Sequence, residues 1–595
     1  MLPRNAPRRL SLLSHAALAL VAFAAAVLSF APAVGHQTVY DDVYIVSSAE
    51  LHSPWRQWLV SGWQRDFWGQ VLNGATSNQQ WRPASVAGLR LSLLLRPGCA
   101  GVGDRALTAT HDACDAPPHA CLAALHRDTV ALHGVCAALL YWVAAGPLGL
   151  HPLTCLLASL LFALHPAHVE SVATLYGRAD VQALALQQLA LLAAWRDHRA
   201  LPLLLALLAS LSKENGFTTL ALIPLAQPRL TRACAASLCC LLALRGALIR
   251  PWGPPLGFTD HPAAFILHFP ARMASYAWLH CRYVEALVWP WRQAINHGWD
   301  SGTLVLTPWD ARMVTATCMY AAVAVAVAQM ARRGARAMLF CAAWGFITFL
   351  PAANVAFPVG TTLGERLLYL PSAPFCILCA AAAERALRRL DSPRARPLLG
   401  ALGVALAAMV FARLRSELEP YKCELRLWPA VLARYPRNAL ARHNAAVRFD
   451  TVGRHAEALS LYEQTEAQWR IEEAEVMRTF GVDESLQRNG WRRAALGRAR
   501  VLRPTLHGAA LDAGFTGVGA GPGVTDSSTS QDAAVTALKH YVTALNGQPD
   551  PALGARILSR IVALCARWTE IGALPLCDQA RAQVAQTGGR GDQLR

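Results

Sequence analysis

Apolar stretches near the length of a membrane-crossing helix recur along the first 415 residues of this 595-residue chain. They lie at about 10–34, 128–147, 150–165, 180–195, 200–212, 216–228, 232–249, 312–330, 337–353, 368–384 and 397–413. A hydrocarbon core of ~30 Å takes about 20 apolar helical residues to cross. Inside it every backbone polar group must be satisfied within the segment, so a chain of this pattern folds as a bundle of helices. Composition agrees, with 54% hydrophobic and 16% charged residues, where soluble domains carry about 25% charged. A soluble enzyme throughout and a disordered chain are both excluded. Arg4, Arg8 and Arg9 precede the first stretch as they would a signal peptide. Ten further stretches favour a retained first helix.

The net charge of +17 says little about partners, because 52 of the 55 cations are arginine and only Lys213, Lys422 and Lys539 are lysine. This is biased usage, not a nucleic-acid-binding face, and no nucleic-acid partner is expected. What matters is where the arginines sit, since positive connections stay cytoplasmic. Arg196/Arg199, Arg229/Arg232, Arg332/Arg333/Arg336 and the run Arg385–Arg396 alternate with poorer connections if the N-terminus is cytoplasmic. The far side then holds 35–127, 165–180, 213–215, 250–311 and 354–367. The stretch 277–293 would break this parity if it crossed, so it is read as a Trp-rich interfacial segment. Eleven spans result, with the region from about 414 on the far side.

Nine of the 16 cysteines (136, 155, 234, 239, 240, 318, 341, 376, 379) fall in or beside apolar stretches, where a small polarizable residue is unremarkable. Seven (99, 114, 121, 281, 423, 565, 577) face the far side. A bridge among Cys99, Cys114 and Cys121 is compatible with an oxidising compartment. No CxxC pair with zinc spacing occurs.

Polar residues concentrate in the far-side connections. Asp41 and Asp42 follow the first stretch, and adjacent carboxylates repel, which suits one of them to take a proton from a hydroxyl acceptor. A helix cap is the alternative reading. His165, His168, Glu170, Arg178 and Asp180 lie between two stretches; they lack the H-E-x-x-H pattern and any thiolate, so no metal is assigned. Ser212-Lys213-Glu214-Asn215 and Gly364-Glu365-Arg366-Leu367-Leu368-Tyr369 each set a cation beside an acid at the edge of an apolar helix. Ionisable groups at membrane depth mark a site or pathway more often than a lipid-facing surface. Singly these pairs read equally as structural ion pairs. Together on one side they fit a phosphate or pyrophosphate held by arginine and lysine, with a nearby carboxylate to deprotonate a hydroxyl.

In order along the chain stand YDD at 40–42, DFWG at 66–69, WRP at 81–83, LH-x6-H at His126 and His133, and LFALHPAHVESVATLYGRAD at 161–180. LSKENG at 211–216, DHPAAF at 260–265 and GERLLYLPS at 364–372 follow. With these residues the chain resembles the transmembrane and tetratricopeptide-repeat-containing (TMTC-type) protein O-mannosyltransferases, multispanning GT-C glycosyltransferases of the endoplasmic reticulum, over about 40–470. The resemblance implies a luminal site that transfers mannose from dolichyl-phosphate-mannose to Ser or Thr hydroxyls of secretory-pathway proteins. It gives the base role to Asp41 or Asp42 without choosing between them. His168, Glu170, Arg178, Asp180, Lys213, Glu214, Glu365, Arg366 and Tyr369 fall on its donor-binding motifs, with Arg178, Lys213 and Arg366 to hold the phosphate. One departure is Thr129, where the family usually has the Asn of H-x-x-N. No obligatory cofactor or metal is expected, although a divalent ion on Asp41/Asp42 remains compatible.

Residues 436–470 read as one tetratricopeptide repeat, with Ala439, Ala446, Phe449, Gly453, Ala458 and Tyr462 at its small and aromatic positions. Thr465 and Arg470 miss the pattern. One repeat does not bury its own face, so this tail either presents acceptors or caps the fold. The expected fold is α: a GT-C-type bundle of about 11 spans followed by a small TPR-like luminal domain. Its parts are 1–34, 35–127, 128–249, 250–311, 312–413, a helical region 414–510, a Gly/Ser/Thr-rich linker 511–531 and helices 532–595. The expected partners are a polyprenyl-phosphate sugar, luminal or secreted acceptor proteins and membrane lipid. Rival readings are another lipid-linked sugar or a glycan acceptor, a non-catalytic scaffold, and a transporter. Transport fits least, because the charges lie at span ends and not at the midplane.

Overall fold

The computed structural model describes residues 11–467 apart from 75, 76, 78, 100, 101, 104–106, 109–113, 250–260, 267, 298–301, 306, 390–394 and 466. The expected helical region 414–510 beyond residue 467, the linker 511–531, the helices 532–595 and Asp260 of the DHPAAF motif lie outside the described residues. Two compact units divide at 438/439. Among the described residues the structure is helical without strands; Arg65 and Val71 form an isolated bridge.

The first unit is built from α1 (Leu12–Phe30), the short α2 (Asp42–Val46), α3 (Pro83–Leu94), α4 (Ala120–Ala145), α5 (Pro152–Ala163), α6 (Val169–Ala173), α7 (Arg178–Trp195) and α8 (Ala200–Ser212). It continues with α9 (Thr218–Ala226), α10 (Thr231–Leu248), α11 (Phe269–Val288), α12 (Arg312–Arg332), α13 (Arg336–Phe349), α14 (Tyr369–Arg389), α15 (Ala395–Leu418) and α16 (Glu424–Arg434). Starts carry recognisable caps: the Ser11 hydroxyl accepts from Ser14 N–H at 3.1 Å before α1, and Pro152 opens α5 behind His151. α1 packs on α4 and α5, α4 on α7, α7 on α8, and α14 on α5 and α13. Polar cross-links pin the middle of this bundle. Trp344 Nε1–H donates to Gln187 Oε1 at 2.7 Å, and Gln187 Nε2–H to Thr219 Oγ1 at 3.1 Å, the interhelical hydrogen bonding that membrane bundles use. α12 is different, burying only Ala316 among its residues and turning Val314, Val323 and Val325 outward. An apolar face of that extent fits hydrocarbon better than water.

Among the described residues, five helical segments are long and apolar enough to cross a membrane: Leu12–Gly35, Ala120–Ala145, Pro228–Leu248, Arg312–Arg332 and Glu365–Arg389. Pro152–Ala163 and Pro166–Ala173 meet at 52° and make a sixth if they act as one broken span. Pro83–Leu94, Ala200–Ser212 and Arg336–Ala352 are apolar but shorter. Among the described residues the long apolar helices thus number five, or six with the bent pair, while other expected stretches, such as 200–212 and 216–228, form shorter helices. The stretch 277–293 is the second half of α11 followed by Trp289 and Trp291, whose rings stack at 4.6 Å.

Disulfides join Cys99 to Cys121 and Cys114 to Cys423. The expected set of three cysteines thus supplies one bridge among its own members, and Cys114 reaches 309 residues along the chain. Cys281 is a buried free thiol.

In the second unit α17 (Ala439–Thr451) and helical residues 455–465 form a hairpin around Gly453, whose φ of +81° suits glycine. Ala446, Ala458 and Tyr462 are fully buried between them.

Candidate active site

After α1 the chain runs along residues 36–40 to Tyr40, which holds a left-handed φ of +51°. That conformation costs a non-glycine residue energy and needs support. Support comes from the far end of the unit: Gln37 N–H donates to the Lys422 carbonyl at 2.9 Å, Tyr40 N–H to Glu424 Oε1 at 2.7 Å, and the Tyr40 ring meets Trp428 edge-on at 5.3 Å. The turn delivers the two acids to different environments. Asp42 is fully buried at the start of α2, where its Oδ1 accepts from Leu175 N–H at 2.7 Å and Tyr176 N–H at 3.1 Å. Burial raises its carboxyl well above the usual range, while these N–H groups pull it back. Asp41 is half-buried and acts electrostatically on Asp42 and on the Tyr176 hydroxyl.

Tyr176 leads to the next group. Its hydroxyl donates to Glu170 Oε1 at 3.2 Å, and Glu170, 2% exposed, pairs with Arg366 Nη1 at 2.5 Å. The Arg366 backbone N–H adds a bond to Glu170 Oε2 at 3.1 Å, and the guanidinium lies 5.2 Å from the Tyr176 ring centroid. This cation–π contact fixes Arg366 beside the Asp41 turn. Glu365, next in sequence, goes elsewhere: it takes His297 Nε2 at 2.7 Å and Ala294 N–H at 3.2 Å, and His297 Nδ1 lies 3.0 Å from the Tyr435 hydroxyl.

A third group sits where α8 breaks into α9. Lys213 Nζ pairs with Asp180 Oδ2 at 2.7 Å, with the side chains 4% and 0% exposed. Burial first, and then Arg82, bring the Lys213 amine down to about 8 despite Asp180. Glu214 accepts Arg82 Nε and Nη2 at 2.9 and 2.7 Å, with Arg245 at 4.0 Å. Burial alone would raise its carboxyl, but Arg82 and Arg245 override this and hold it at about 2. Arg82 and Arg366 both act on the Lys213 charge, so three cations share one neighbourhood. The break depends on Gly216: a Cβ there would lie 2.0 Å from the Ala209 carbonyl oxygen.

The expected residues are thus brought together in part. Asp41, Asp42, Glu170 and Arg366 form one linked group, and Asp180, Lys213 and Glu214 a second within electrostatic reach. Arg178 turns away from both, donating from Nη2 to Gly88 O and Ser92 Oγ on α3 at 3.2 and 2.9 Å. His168 and Tyr369 lie in the helix packing: His168 Nε2 is 2.8 Å from Ser372 Oγ, and the Tyr369 hydroxyl 2.7 Å from His133 Nδ1. Arg82, Tyr176 and His297 were given no role from sequence. The first two stand inside the WRP and LYGRAD motifs, which was the available signal; His297 had none. Among the described residues no group of three His, Cys, Asp or Glu side chains is placed to hold a metal ion.

Apolar helices enclosing breaks lined with paired charges define a membrane protein with a buried polar cluster. The chain is similar to the TMTC-type protein O-mannosyl-transferases. A family model described as protein O-mannosyl-transferase TMTC, DUF1736 matches residues 253–324. The protein O-mannosyl-transferase F38B6.6 of Caenorhabditis elegans is 25% identical over 436 residues, covering 71% of this chain and 59% of that protein. Human protein O-mannosyl-transferase TMTC4 is 26% identical over 497 residues, covering 74% and 65%, and Drosophila melanogaster Tmtc1 is 25% identical over 498 residues, covering 66% and 55%. The chain spans about three fifths of the length of these curated relatives. No solved structure matches.

Proposed function

We propose that this protein is a membrane glycosyltransferase that moves mannose from dolichyl-phosphate-mannose to Ser or Thr hydroxyls of luminal or secreted proteins. The observation that carries the reading is the Asp41 turn: Asp42, through its bonds to Leu175 and Tyr176, holds Asp41 beside the Tyr176–Glu170–Arg366 group. The names of the relatives support sugar transfer, and the cation cluster supports a phosphate-bearing donor. Asp41, half-buried and accessible, is the base; Asp42, committed to backbone N–H groups, is its positioning residue. Asp41 takes the acceptor hydroxyl proton as that oxygen bonds to the anomeric carbon. The bond from that carbon to the phosphate oxygen breaks on the opposite side, inverting the centre. Dolichyl phosphate leaves with the electron pair. Arg366, Lys213 and Arg82 stabilise its charge, Arg82 taking the place expected for Arg178. Glu170, Asp180 and Glu214 orient these cations, and Glu365, His168 and Tyr369 hold the surrounding helices.

For topology, we infer eleven crossings, N-terminus cytoplasmic, in the endoplasmic reticulum membrane. The tie between residues 37–40 and 422–424 supports this, because it requires an even number of crossings between them. The helix hairpin after 438 serves as one tetratricopeptide-type repeat that presents the acceptor.

The test uses the purified full chain with dolichyl-phosphate-mannose and an unstructured Ser/Thr peptide. Asp41→Asn should lower kcat by about 10²–10⁴-fold with an unchanged melting temperature, whereas Asp42→Asn should also destabilise the fold. Wild-type activity in Asp41→Asn removes the assigned base, and absence of transfer by the wild type removes the reading.

A further inference from the structure

A continuous belt of rings and cations joins the two ends of the site. The Arg82 guanidinium lies 5.3 Å from the Phe67 ring centroid, Phe67 and Trp68 meet at 5.1 Å, Trp68 and Tyr176 at 6.4 Å, and Arg366 lies 5.2 Å from Tyr176. Phe67 and Tyr176 are buried, each 2% exposed, while Trp68 is half-buried. Trp68 is also the rigidly mounted member. Its N–H donates to Asp66 Oδ1 at 3.0 Å, and the same oxygen takes Gln70 N–H at 2.8 Å. Between them Gly69 holds φ +82°, with Ser48 Oγ only 2.2 Å from where a Cβ would stand. On this fixed ring the indole Nε1–H is shut off from solvent and has no acceptor. Buried indole N–H groups ordinarily find one. Trp58, Trp81 and Trp195 share that state, but they lie off the belt: Trp58 against Trp55 and Arg90, Trp81 against Trp63, and Trp195 beside Gly146.

A half-exposed ring with an unused donor at its rim, set between cations that suit a phosphate, matches one class of ligand. A pyranose has a face of C–H groups that loses water favourably against an aromatic ring, and hydroxyls at its edge that accept hydrogen bonds. We infer that Trp68 is the platform for the transferred hexose: the sugar lies on the indole between the Arg82 and Arg366 ends of the belt, and Nε1–H donates to one of its hydroxyls. The inference rests on the lipid-linked sugar transferase reading and adds to it the residue that senses the sugar apart from the phosphate.

The test compares binding of dolichyl-phosphate-mannose and sugar-free dolichyl phosphate to the purified full chain, alongside transfer kinetics. Trp68→Phe keeps a ring and removes the donor; it should weaken the mannose-bearing lipid by about 2–10-fold and leave dolichyl phosphate unchanged. Trp68→Ala should weaken the mannose-bearing lipid further, again sparing the sugar-free one. Unchanged binding of both lipids by Trp68→Phe and Trp68→Ala, or equal losses for both lipids, overturns the inference. If wild-type transfer is intact in that case, the transferase reading stands without it. A wild type that neither binds the donor nor transfers sugar removes the reading and the inference together.

Discussion

Lys213→Met should break the fold in a way that separates ion pairing from donor binding. The ammonium and the Asp180 carboxylate sit 2.7 Å apart with 4% and 0% of their surfaces exposed. Removing the cation leaves Asp180 buried with its Oδ1 already lacking a partner. Breaking such a pair from one side costs about 3–5 kcal/mol, enough to lower the melting temperature on the order of 5 °C or more. The double variant Lys213→Met, Asp180→Asn removes the stranded charge and should regain most of that loss. It should not regain donor affinity if Lys213 also holds phosphate. The pH dependence gives a second arm. With its amine at about 8, Lys213 is a cation below that pH and neutral above, so donor affinity should fall as pH rises through 8. Lipid binding in detergent, followed from pH 7 to 10, reads this arm. Wild-type donor affinity in the double variant, or donor affinity flat across the range, refutes the assignment of Lys213 to the phosphate.

Gly216→Ala should cost about 1–3 kcal/mol and lower melting, because its Cβ would strike backbone and not a movable side chain. A neutral result would mean that the α8–α9 break is looser than described. Cys114→Ser should destabilise by about 2–4 kcal/mol, as expected for a bridge closing a long loop, and mass spectrometry of unreduced digests should recover Cys99–Cys121 and Cys114–Cys423 as linked pairs.

The motifs mark which segments meet, and much less of how each side chain is aimed. Arg178 and Asp180 are two residues apart on α7, about 200° around the helix, so Asp180 reaches Lys213 while Arg178 faces α3. Glu365 and Arg366 divide in the same way between His297 and Glu170. The Asp41/Asp42 ambiguity has a similar origin, since neighbouring positions at a helix start differ in burial only once Leu175 and Tyr176 are brought against them. Helix length was less legible still, because hydropathy locates apolar runs but does not fix where a helix breaks, as at the short helices 200–212 and 218–226. The partner of Cys114 was beyond local reading, lying 309 residues away.

That long reach sets an order of assembly. Tyr40 and its adjoining acid leave the ribosome more than 380 residues before the groups that brace the turn, the Lys422 carbonyl and Glu424. At about 5–20 residues per second, the turn waits roughly 20–80 s for its brace. A nascent chain stopped short of residue 419 would carry every expected donor contact and still lack a firmly set Asp41, so the turn stays unbraced until α15 has been made.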